Sequence, residues 1–448
     1  MAVDPVVLCL SASGEAVAHR IAAALGCAVH GREGRVARAD LFFGHALDHA
    51  RDLFAAGVPV IGVCASGILI RGVAPMLADK RAEPPVISVS DDGRVVVPLL
   101  GGHRGANRLA RRIAAALDGT AAVTTAGDVS LGVALDEPPA GWRLGTPELA
   151  QDAMARLLSG AGAVLSGEAA KDAGWLAGLP SRGEGAPVEI AATGAPAAPG
   201  GLTFHPQRFA LGVGCARDCP PEELEALVLG ELAAAGVAAG ALRALFTLDL
   251  KADEPAVIAL AAKLGLPLRI FTAAELEAKA ARLATPSEVV FAEVGCHGVC
   301  EGAALAGAGP GAVLARRKAK TAMATCALAE AAAPIVPLGG RARGRLSVVG
   351  IGPGQAGWRT PEVSRLVAEA EELVGYGLYI DLLGPLAAGK ARADFPLGGE
   401  EARCRHALER AGEGRNVALV CSGDAGIYAM GALVFELLDR AEDAGGVS

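Results

Sequence analysis

The chain has 448 residues, a formal net charge of -8, and 52% hydrophobic side chains with 4% aromatic ones. Its length favours several domains, because one domain commonly holds roughly 100 to 150 residues. The negative charge argues against nucleic acid or an anionic membrane as a partner. No apolar run reaches the ~18 residues that span a bilayer, and the N-terminus lacks the basic start of a signal peptide. With ten scattered cysteines, these features indicate a cytoplasmic chain with reduced thiols.

Short apolar strands alternate with alanine-rich amphipathic helices, which is typical of α/β domains with mostly parallel sheets. Examples are VVLCL, VPVIGV, VISVS and VVVPLL. Two segments rich in Pro and Gly, 192–201 and 333–345, lack periodicity and predict linkers. We therefore expect a multidomain α/β fold of several three-layer, mostly parallel sheets joined by Pro/Gly-rich linkers. The predicted regions are 1–134, 135–205, 206–332, a linker at 333–343, and 344–448.

A glycine-rich loop in the first region is a candidate site. VISVS and VVVPLL, separated by an Asp-Gly turn, predict a hairpin. Gly101-Gly-His-Arg-Gly105 then leads into a helix, with Asn107 as its predicted N-cap. Leu109, Ile113 and Leu117 are spaced by four, which predicts the core-facing stripe of that helix.

The charge around this loop is opposite in sign to that of the whole chain. Between Asp79 and Arg112, seven Lys/Arg residues face four acids, a local +3. A helix N-terminus also attracts anions by about 0.3–1 kcal/mol, so this stretch predicts a carboxylate-rich ligand. For Arg111 and Arg112, a solvated helix face is the competing interpretation. His103, a loop histidine between glycines, is a candidate base because histidine titrates near ~6.5.

The third region opens with the strand FALGVGC and a helix led by Pro220-Pro-Glu-Glu223. The strand FTLDL precedes Lys251 and Glu254, and Thr272–Glu275 reads as a capping box. Two cysteine pairs follow a C-x₃-C spacing: Cys215 with Cys219, and Cys296 with Cys300 around His297. Such a pair alone is weak evidence for a metal site, and we predict no metal ligands.

The last region begins with the strand LSVVG and the turn Gly352-Pro-Gly-Gln-Ala-Gly357. A lone G-x-G-x-x-G match is weak evidence for a dinucleotide site. A second turn, Cys421-Ser-Gly-Asp-Ala-Gly-Ile-Tyr428, follows the strand NVALV. We expect both turns at the carboxyl edge of one sheet, where open α/β folds bind ligands.

Several of these motifs resemble known families. RGVAPMLADKR, the hairpin, LLGGHRGAN and TTAGD resemble the N-terminal part of the cobalt-precorrin-5A hydrolase family (CbiG), and DEPPAGWRL resembles its middle region. GVGC, TLDLKADE, GVCEGAAL and KAKTAMATCALA resemble its C-terminal domain, although Cys296, His297 and Cys300 depart from the family pattern. GIGPG with SGDAGIY resembles the tetrapyrrole methylases, specifically precorrin-3B C(17)-methyltransferase (CobJ).

These resemblances imply a cobalamin-pathway enzyme that opens the δ-lactone of a cobalt-precorrin and releases acetaldehyde, fused to the first lobe of a methyltransferase. We expect His103 as general base and Lys80 or Lys251 as oxyanion brace. The expected substrate-binding residues are Arg104, Asn107, Arg108, Glu254 and Glu301. The methylase likeness implies S-adenosylmethionine contacts at Pro353, Ser422, Gly423, Asp424 and Ile427.

The expected partners are corrin intermediates, other cobalamin-pathway enzymes and a second copy of the chain, and no cofactor is expected for the hydrolase region. Because the two-lobed methylases build their site from a second lobe, we expect either a fragment of a longer fusion or a lobe without its chemistry. Two alternatives stay open here. One is a protein that binds and hands on a corrin intermediate without chemistry, and the other is a cysteine-ligated metal or redox protein.

Overall fold

The computed structural model describes residues 3–80, 82–426 and 430–441. The chain forms two compact units. One combines the residues up to Thr124 with those from Gly344 on, and the other is Thr125–Arg343. The predicted region boundaries stay a prediction.

The first unit starts with a seven-stranded sheet in the order β3-β2-β1-β4-β5-β6-β7. Its strands are β1 (Val6–Cys9), β2 (Ala28–Arg32), β3 (Leu41–Phe43), β4 (Val60–Val63), β5 (Val86–Val89), β6 (Val95–Leu100) and β7 (Thr120–Ala121), and its helices are α1 (Glu15–Leu25), α2 (Ala46–Ala55), α3 (Ser66–Val73) and α4 (Ala106–Leu117). All neighbouring strands are parallel except β5 and β6, which form the predicted hairpin.

This sheet is the middle of three layers. Val7, Ile61 and Ile87 point toward the face covered by α1 and α4, whereas Leu8 and Val60 point toward α2 and α3. Apolar side chains thus cover both faces of the sheet, as expected for a parallel sheet that is buried on both sides. Ile113 and Leu117 are buried and Leu109 packs beside them, which confirms the predicted stripe. The N-cap prediction for Asn107 is wrong, because Gly105, at φ 91°, caps α4 and Asn107 lies inside the helix.

The second unit starts with a four-stranded sheet in the order β8-β11-β10-β9. Its elements are α5 (Ala126–Ser130), β8 (Trp142–Leu144), α6 (Ala150–Leu158), β9 (Ala163–Ser166), β10 (Val188–Ala192) and β11 (Leu202–Pro206). β10 and β11 are parallel neighbours. The segment 192–201 therefore connects two strands of one sheet, and its prediction as a linker between domains is wrong.

A six-stranded sheet completes this unit, in the order β15-β16-β12-β13-β14-β17. Its strands are β12 (Phe209–Cys215), β13 (Leu242–Leu248), β14 (Leu268–Phe271), β15 (Val313–Lys320), β16 (Ala324–Glu330) and β17 (Arg341–Ala342), and its helices are α7 (Pro221–Ala235), α8 (Pro255–Leu264), α9 (Ala273–Glu277), α10 (Glu288–Val294) and α11 (Val299–Ala308). The predicted capping box at Thr272 is present at the start of α9.

This sheet is mixed. The three central strands β12, β13 and β14 are parallel, but the β15–β16 hairpin and β17 add antiparallel strands at the two edges. Among the described residues, no single helix is long and apolar enough to cross a membrane. The helices α10 and α11 meet that length and composition only as a pair, which is bent by 79°.

The first unit resumes with a four-stranded, fully parallel sheet in the order β18-β21-β19-β20. Its elements are β18 (Arg345–Gly350), α12 (Pro361–Glu369), β19 (Glu372–Tyr376), α13 (Gly377–Asp381), β20 (Ala391–Phe395), α14 (Glu400–Gly412), β21 (Asn416–Cys421) and α15 (Met430–Ala441). The multidomain α/β fold class is thus confirmed, with a fully parallel last sheet and three sheets that add antiparallel pairs to parallel ones.

Candidate functional site

The predicted loop around His103 lies at the amino edge of the first sheet. β6 runs antiparallel to β5 and places Leu100 opposite Val86, the first residue of β5. A guanidinium nitrogen of Arg104 donates to the carbonyl of Ala82 at 2.6 Å, so the loop lies beside the segment that carries Lys80. The His103 side chain lies outside the described residues. Ligands of open α/β sheets usually bind at the opposite, carboxyl edge.

The other predicted members of this group differ in exposure. Lys80, Arg104 and Arg108 are exposed, whereas Asn107 is buried in the first turn of α4. The exposed cations are accessible to a ligand. The buried Asn107 amide is less accessible to a ligand, because it lies on the side of the helix that packs against the sheet.

Lys251 and Glu254 come together just after β13. Lys251 ends a short 3₁₀ turn, and its Nζ lies 3.8 Å from Oε2 of Glu254. Glu254 is 1% exposed. Its carboxylate accepts a hydrogen bond from the backbone N–H of Asp218 at 2.9 Å and lies 3.3 Å from Nη1 of Arg217. The buried carboxylate therefore holds both cations beside the carboxyl ends of β12 and β13.

These residues border an open cleft of about 560 Å³. Four cationic side chains and two carboxylates line it, namely Arg217, Lys251, Lys318, Lys320, Glu293 and Glu301. The apolar part of the lining comes from Leu248, Val290, Val294, Val299 and Met323. A net positive, partly apolar cleft suits a carboxylate-rich ligand with an apolar body, and its place at the strands' carboxyl ends is the usual ligand edge.

Glu301, predicted to bind substrate, is 2% exposed and already saturated by the protein. Its carboxylate accepts backbone N–H groups of Ala284 at 2.8 Å, Thr285 at 3.0 Å and Lys318 at 2.8 Å. Glu254 is buried in a similar way. Because the lone pairs of both carboxylates face protein donors, these residues position the walls of the cleft.

The thiols near the cleft are poor nucleophiles. Burial, with Glu254 adding to it, raises the pKa of Cys215 to about 12, and burial raises the pKa of Cys300 to about 11. The ring of His297 faces Glu277 at 2.9 Å and Glu288 at 3.5 Å. Its hydrogen bond with Glu277 raises the pKa of His297. Within the described ranges, no three His, Cys, Asp or Glu side chains form a group that could hold a metal ion.

The two turns of the last region meet as predicted. β18 and β21 are parallel neighbours, and Gly352 and Gly423 exchange backbone hydrogen bonds of 3.1 and 3.0 Å. Both glycines have positive φ, 61° and 66°, a conformation that favours glycine. Pro353, Ser422, Gly423 and Asp424 therefore lie at one sheet edge, while Ile427 lies outside the described residues.

The two turns also pack closely against each other. A Cβ at Gly350 would overlap the Gly423 carbonyl and lie 2.7 Å from the Ala425 nitrogen. Ser422 and Asp424 beside them are exposed. A hydroxyl and a carboxylate are thus exposed beside the packed turns.

Comparison with known proteins agrees with this division of sites. The family models that match are Cobalamin synthesis G N-terminal at residues 48–128, Cobalamin synthesis G C-terminus at 209–329, and Tetrapyrrole (Corrin/Porphyrin) Methylases at 345–446. Cobalt-precorrin-5A hydrolase of Salmonella typhimurium is 30% identical over 287 residues, 60% of this chain and 82% of that protein. The chain belongs to the CbiG family.

Two further relatives match shorter stretches of this CbiG-family chain. Protein CobE of a Sinorhizobium species is 56% identical over 119 residues, 27% of this chain and 77% of that protein. A Salmonella typhimurium protein named as a probable cobalt-factor III C(17)-methyltransferase is 43% identical over 95 residues, 21% of this chain and 39% of that protein. The chain thus spans about two fifths of this methyltransferase.

The resemblances to CbiG and to the tetrapyrrole methylases are confirmed, and the chain is an enzyme of cobalamin biosynthesis with hydrolase and methyltransferase relatives. The channelling and cysteine-ligated alternatives are not favoured by these relatives. The sequence interpretation missed Arg217, Lys318 and Lys320 as cleft residues. The two lysines belong to the KAKTAMATCALA motif, so the sequence could have indicated them as site residues. The direction of their side chains, however, depends on the local strand geometry.

Proposed function

We propose that this CbiG-family chain adds water to the δ-lactone of a ring-contracted cobalt-precorrin and releases the two-carbon fragment as acetaldehyde. The relatives named cobalt-precorrin-5A hydrolase support this substrate class. The structural observation that supports the proposal is the position of Lys251. Its side chain lines the cleft and pairs with the buried carboxylate of Glu254.

Lactone hydrolysis needs a base for water and a positive group near the developing oxyanion. Lys251 can stabilise the oxyanion, since its ammonium lines the cleft while Glu254 holds it from the protein side. Arg217 is held by the same carboxylate and can bind a peripheral carboxylate of the substrate. His103 stays the proposed base on sequence grounds, with Lys80 as the alternative brace; both belong to the first unit, and their roles are proposed independently of the cleft. No cofactor is proposed for this hydrolysis.

The first test replaces the proposed brace. We expect Lys251→Gln to lower kcat for lactone opening by about 10² or more, the range seen when one oxyanion donor is lost. Lys263→Gln is the matched control, because Lys263 lies in the same unit and pairs with Glu225 at 2.5 Å outside the cleft. Release of acetaldehyde from the cobalt-precorrin is measured for both variants. Equal turnover in Lys251→Gln and Lys263→Gln would exclude Lys251 as the brace.

The proposed base is tested separately. We expect His103→Ala to lower lactone opening by a factor of about 10² or more, as is usual when a general base is lost, while the circular dichroism spectrum stays unchanged. Turnover equal to wild type would remove His103 from the mechanism. Loss of the folded spectrum would show a structural role for His103 and leave the base to another group.

We infer that the two turns around Gly352 and Gly423 bind S-adenosylmethionine, which supplies an electrophilic methyl group when bound. The methyltransferase relatives support this cofactor. Pro353 and Gly423 would let the cofactor approach the backbone, and Ser422 and Asp424 would bind its polar groups. The transfer of a methyl group to C17 of a precorrin is part of the same proposal, as is assembly into a homodimer or with other cobalamin-pathway enzymes.

The match to the methyltransferase relative covers 39% of that protein, so contacts from its remaining part are not supplied by the matched residues. Every tenfold loss of affinity corresponds to only ~1.4 kcal/mol. We therefore expect the 448-residue chain to bind S-adenosylmethionine weakly, and fusion of the unmatched part of the methyltransferase to restore binding. Asp424→Ala should then weaken binding in calorimetry, while Asp439→Ala, at an exposed position of α15, should not. Micromolar binding and methyl transfer by the chain alone would contradict this expectation.

A further inference from the structure

We propose that Lys318 and Lys320 on β15 form a second carboxylate-binding subsite of the cleft, on a wall separate from that of Lys251 and Arg217. The inference rests on the proposed function for its ligand class, a macrocycle with peripheral carboxylates. Both lysines line the cleft. Neither ammonium forms an ion pair with a carboxylate in the part of the chain that the structure describes. Both charges are therefore available to a ligand.

The backbone of β15 directs these two side chains. β15 pairs with β16 at Leu314–Ala329, Arg316–Leu328 and Ala319–Cys326. Between the first and second pairs, β15 advances by two residues and β16 by one. Between the second and third pairs, β15 advances by three residues and β16 by two. Each difference is a β-bulge with one extra residue on β15. Bulges leave a residue outside the ladder and change the direction of its side chain, often beside an active site.

The second bulge is stabilised from the helix behind it. It leaves the backbone N–H of Lys318 without a ladder partner, and Oε1 of buried Glu301 accepts that N–H at 2.8 Å. The other oxygen of Glu301 accepts Ala284 and Thr285, on the segment before α10. Glu301 is therefore a positioning residue, because one buried carboxylate fixes both the bulge and the segment of Ala284 and Thr285, and Thr285 also lines the cleft.

The arrangement matches a flat ligand with charged edges. Val290, Val294 and Val299 add an apolar surface to the cleft that the cationic side chains also line. Glu254 holds the cations of one wall, and Glu301 holds the backbone that carries the cations of the other. A carboxylate-rich tetrapyrrole can place its ring on the apolar surface and its carboxylates at both walls.

The test uses binding, so it does not depend on turnover. Uroporphyrin, an octacarboxylate, and coproporphyrin, a tetracarboxylate with the same ring, are titrated into the full chain by fluorescence at two salt concentrations. We expect Lys318→Gln and Lys320→Gln each to raise the Kd for uroporphyrin roughly threefold, and the double variant roughly tenfold with a weaker salt dependence. The preference for uroporphyrin over coproporphyrin should decrease in the double variant.

Arg317→Gln is the matched control, because Arg317 is an exposed cation on the same strand that does not line the cleft. It should leave both Kd values unchanged. Glu301→Gln should also raise the Kd for uroporphyrin. The losses of affinity in Glu301→Gln and Lys318→Gln should not add, because Glu301 acts on the ligand through the backbone that directs Lys318. Stability is followed by thermal unfolding of each variant.

The outcomes separate the two proposals. Binding that Lys318→Gln and Lys320→Gln weaken, in a chain that opens no lactone, supports the subsite and overturns the hydrolytic function. Lactone opening with equal uroporphyrin affinity in wild type, both lysine variants and Arg317→Gln overturns the subsite alone. No measurable binding of uroporphyrin by the wild-type chain also overturns the subsite.

Discussion

Two buried histidines in the first unit form a pair without a charged partner. Nδ1 of His30 lies 2.9 Å from Nε2 of His49, and the ring of His49 stacks on Phe43 at 4.3 Å. Nε2 of His30 is buried without a partner among the described atoms. Burial lowers the pKa of His30 to about 3, with His49 adding to the effect, and burial lowers the pKa of His49 to about 4. The folded state therefore favours the neutral form of both rings.

This pair predicts acid sensitivity. A histidine whose folded pKa is depressed below its unfolded value of ~6.5 stabilises the fold fully above that value, and this contribution is lost as the pH falls from about 6.5 toward the folded pKa. We expect the free energy of unfolding to fall between pH 6.5 and about 4, measured by urea unfolding. Replacing both residues, as His30→Leu with His49→Leu, should flatten this dependence, because removing both partners leaves neither ring unpaired. Exposed His45→Gln is the control, and a slope equal in wild type and the double variant would contradict the prediction.

Residue roles were only partly predictable from the sequence. The cap at Thr272 was predictable, because donor and acceptor lie three residues apart in one motif. Glu254 and Glu301 were predicted to touch substrate because their motif was recognised. Their partners, Asp218 and Lys318, are far away in the chain. Only the tertiary structure decides whether a carboxylate faces a ligand or the protein.

At the level of elements, the packing of α11 on β12 depends on one glycine. A Cβ at Gly212 would overlap the carbonyl of Cys300 and lie 2.6 Å from the nitrogen of Ala304. The helix that carries Glu301 therefore lies directly against the central strand. This close approach also positions part of the cleft lining, since Val299 and Cys300 of the same helix line the cleft.

Gly212→Ala should consequently destabilise the second unit by about 3 kcal/mol, the upper range for overpacking a core, and should also weaken uroporphyrin binding. Gly230→Ala is the matched control, because Gly230 lies on α7 with nothing within 4 Å of an added Cβ. That substitution should stabilise the helix by about 0.5–1 kcal/mol. Thermal unfolding of the two variants gives the comparison. Unchanged stability of Gly212→Ala would show that the α11–β12 contact tolerates a methyl group, and an equal loss in Gly230→Ala would show that the effect is not specific to that contact.

Most elements were predictable from the sequence, but sheet membership was less so. The strands FALGVGC, LSVVG and NVALV and the hairpin after VISVS are present. The Pro/Gly-rich stretch 192–201 has the composition of a linker, yet the strands on either side of it pair with each other. Composition reports the lack of periodicity in a segment. It does not report which strands the segment connects.

At the scale of the whole molecule, the first unit joins residues far apart in sequence through one hydrophobic core. Leu53 and Val58 from the first sheet's region share a cluster with Val367, Ala368 and Leu386 from the last region. Buried Arg359 lies near Asp52, and burial lowers the pKa of Arg359 while Asp52 opposes this shift. A cavity of about 310 Å³ is lined by both parts. No sequence motif indicated this junction, because each side also reads as an ordinary amphipathic helix.

A shared core predicts shared unfolding. Leu53→Ala removes a fully buried side chain from this cluster, and such a change typically costs about 2–5 kcal/mol. Because the cluster includes residues of both parts, we expect amide protection to fall together in β1 and β4 and in β18 and β21. Hydrogen exchange measured by mass spectrometry under native conditions reports each strand separately.

Leu211→Ala is the control, because Leu211 is equally buried but belongs to a cluster of the second unit. Its loss of protection should fall on β12 and β16. If Leu53→Ala loosened only the strands before Thr124, the methylase-like part would be stable by itself and would merely lie against its neighbour. If the four strands lose protection together, the methylase-like part depends for its stability on the CbiG-like N-terminal part. The two would then form one cooperative unit, and a change that destabilises the CbiG-like N-terminal part would also weaken the turns at Gly352 and Gly423.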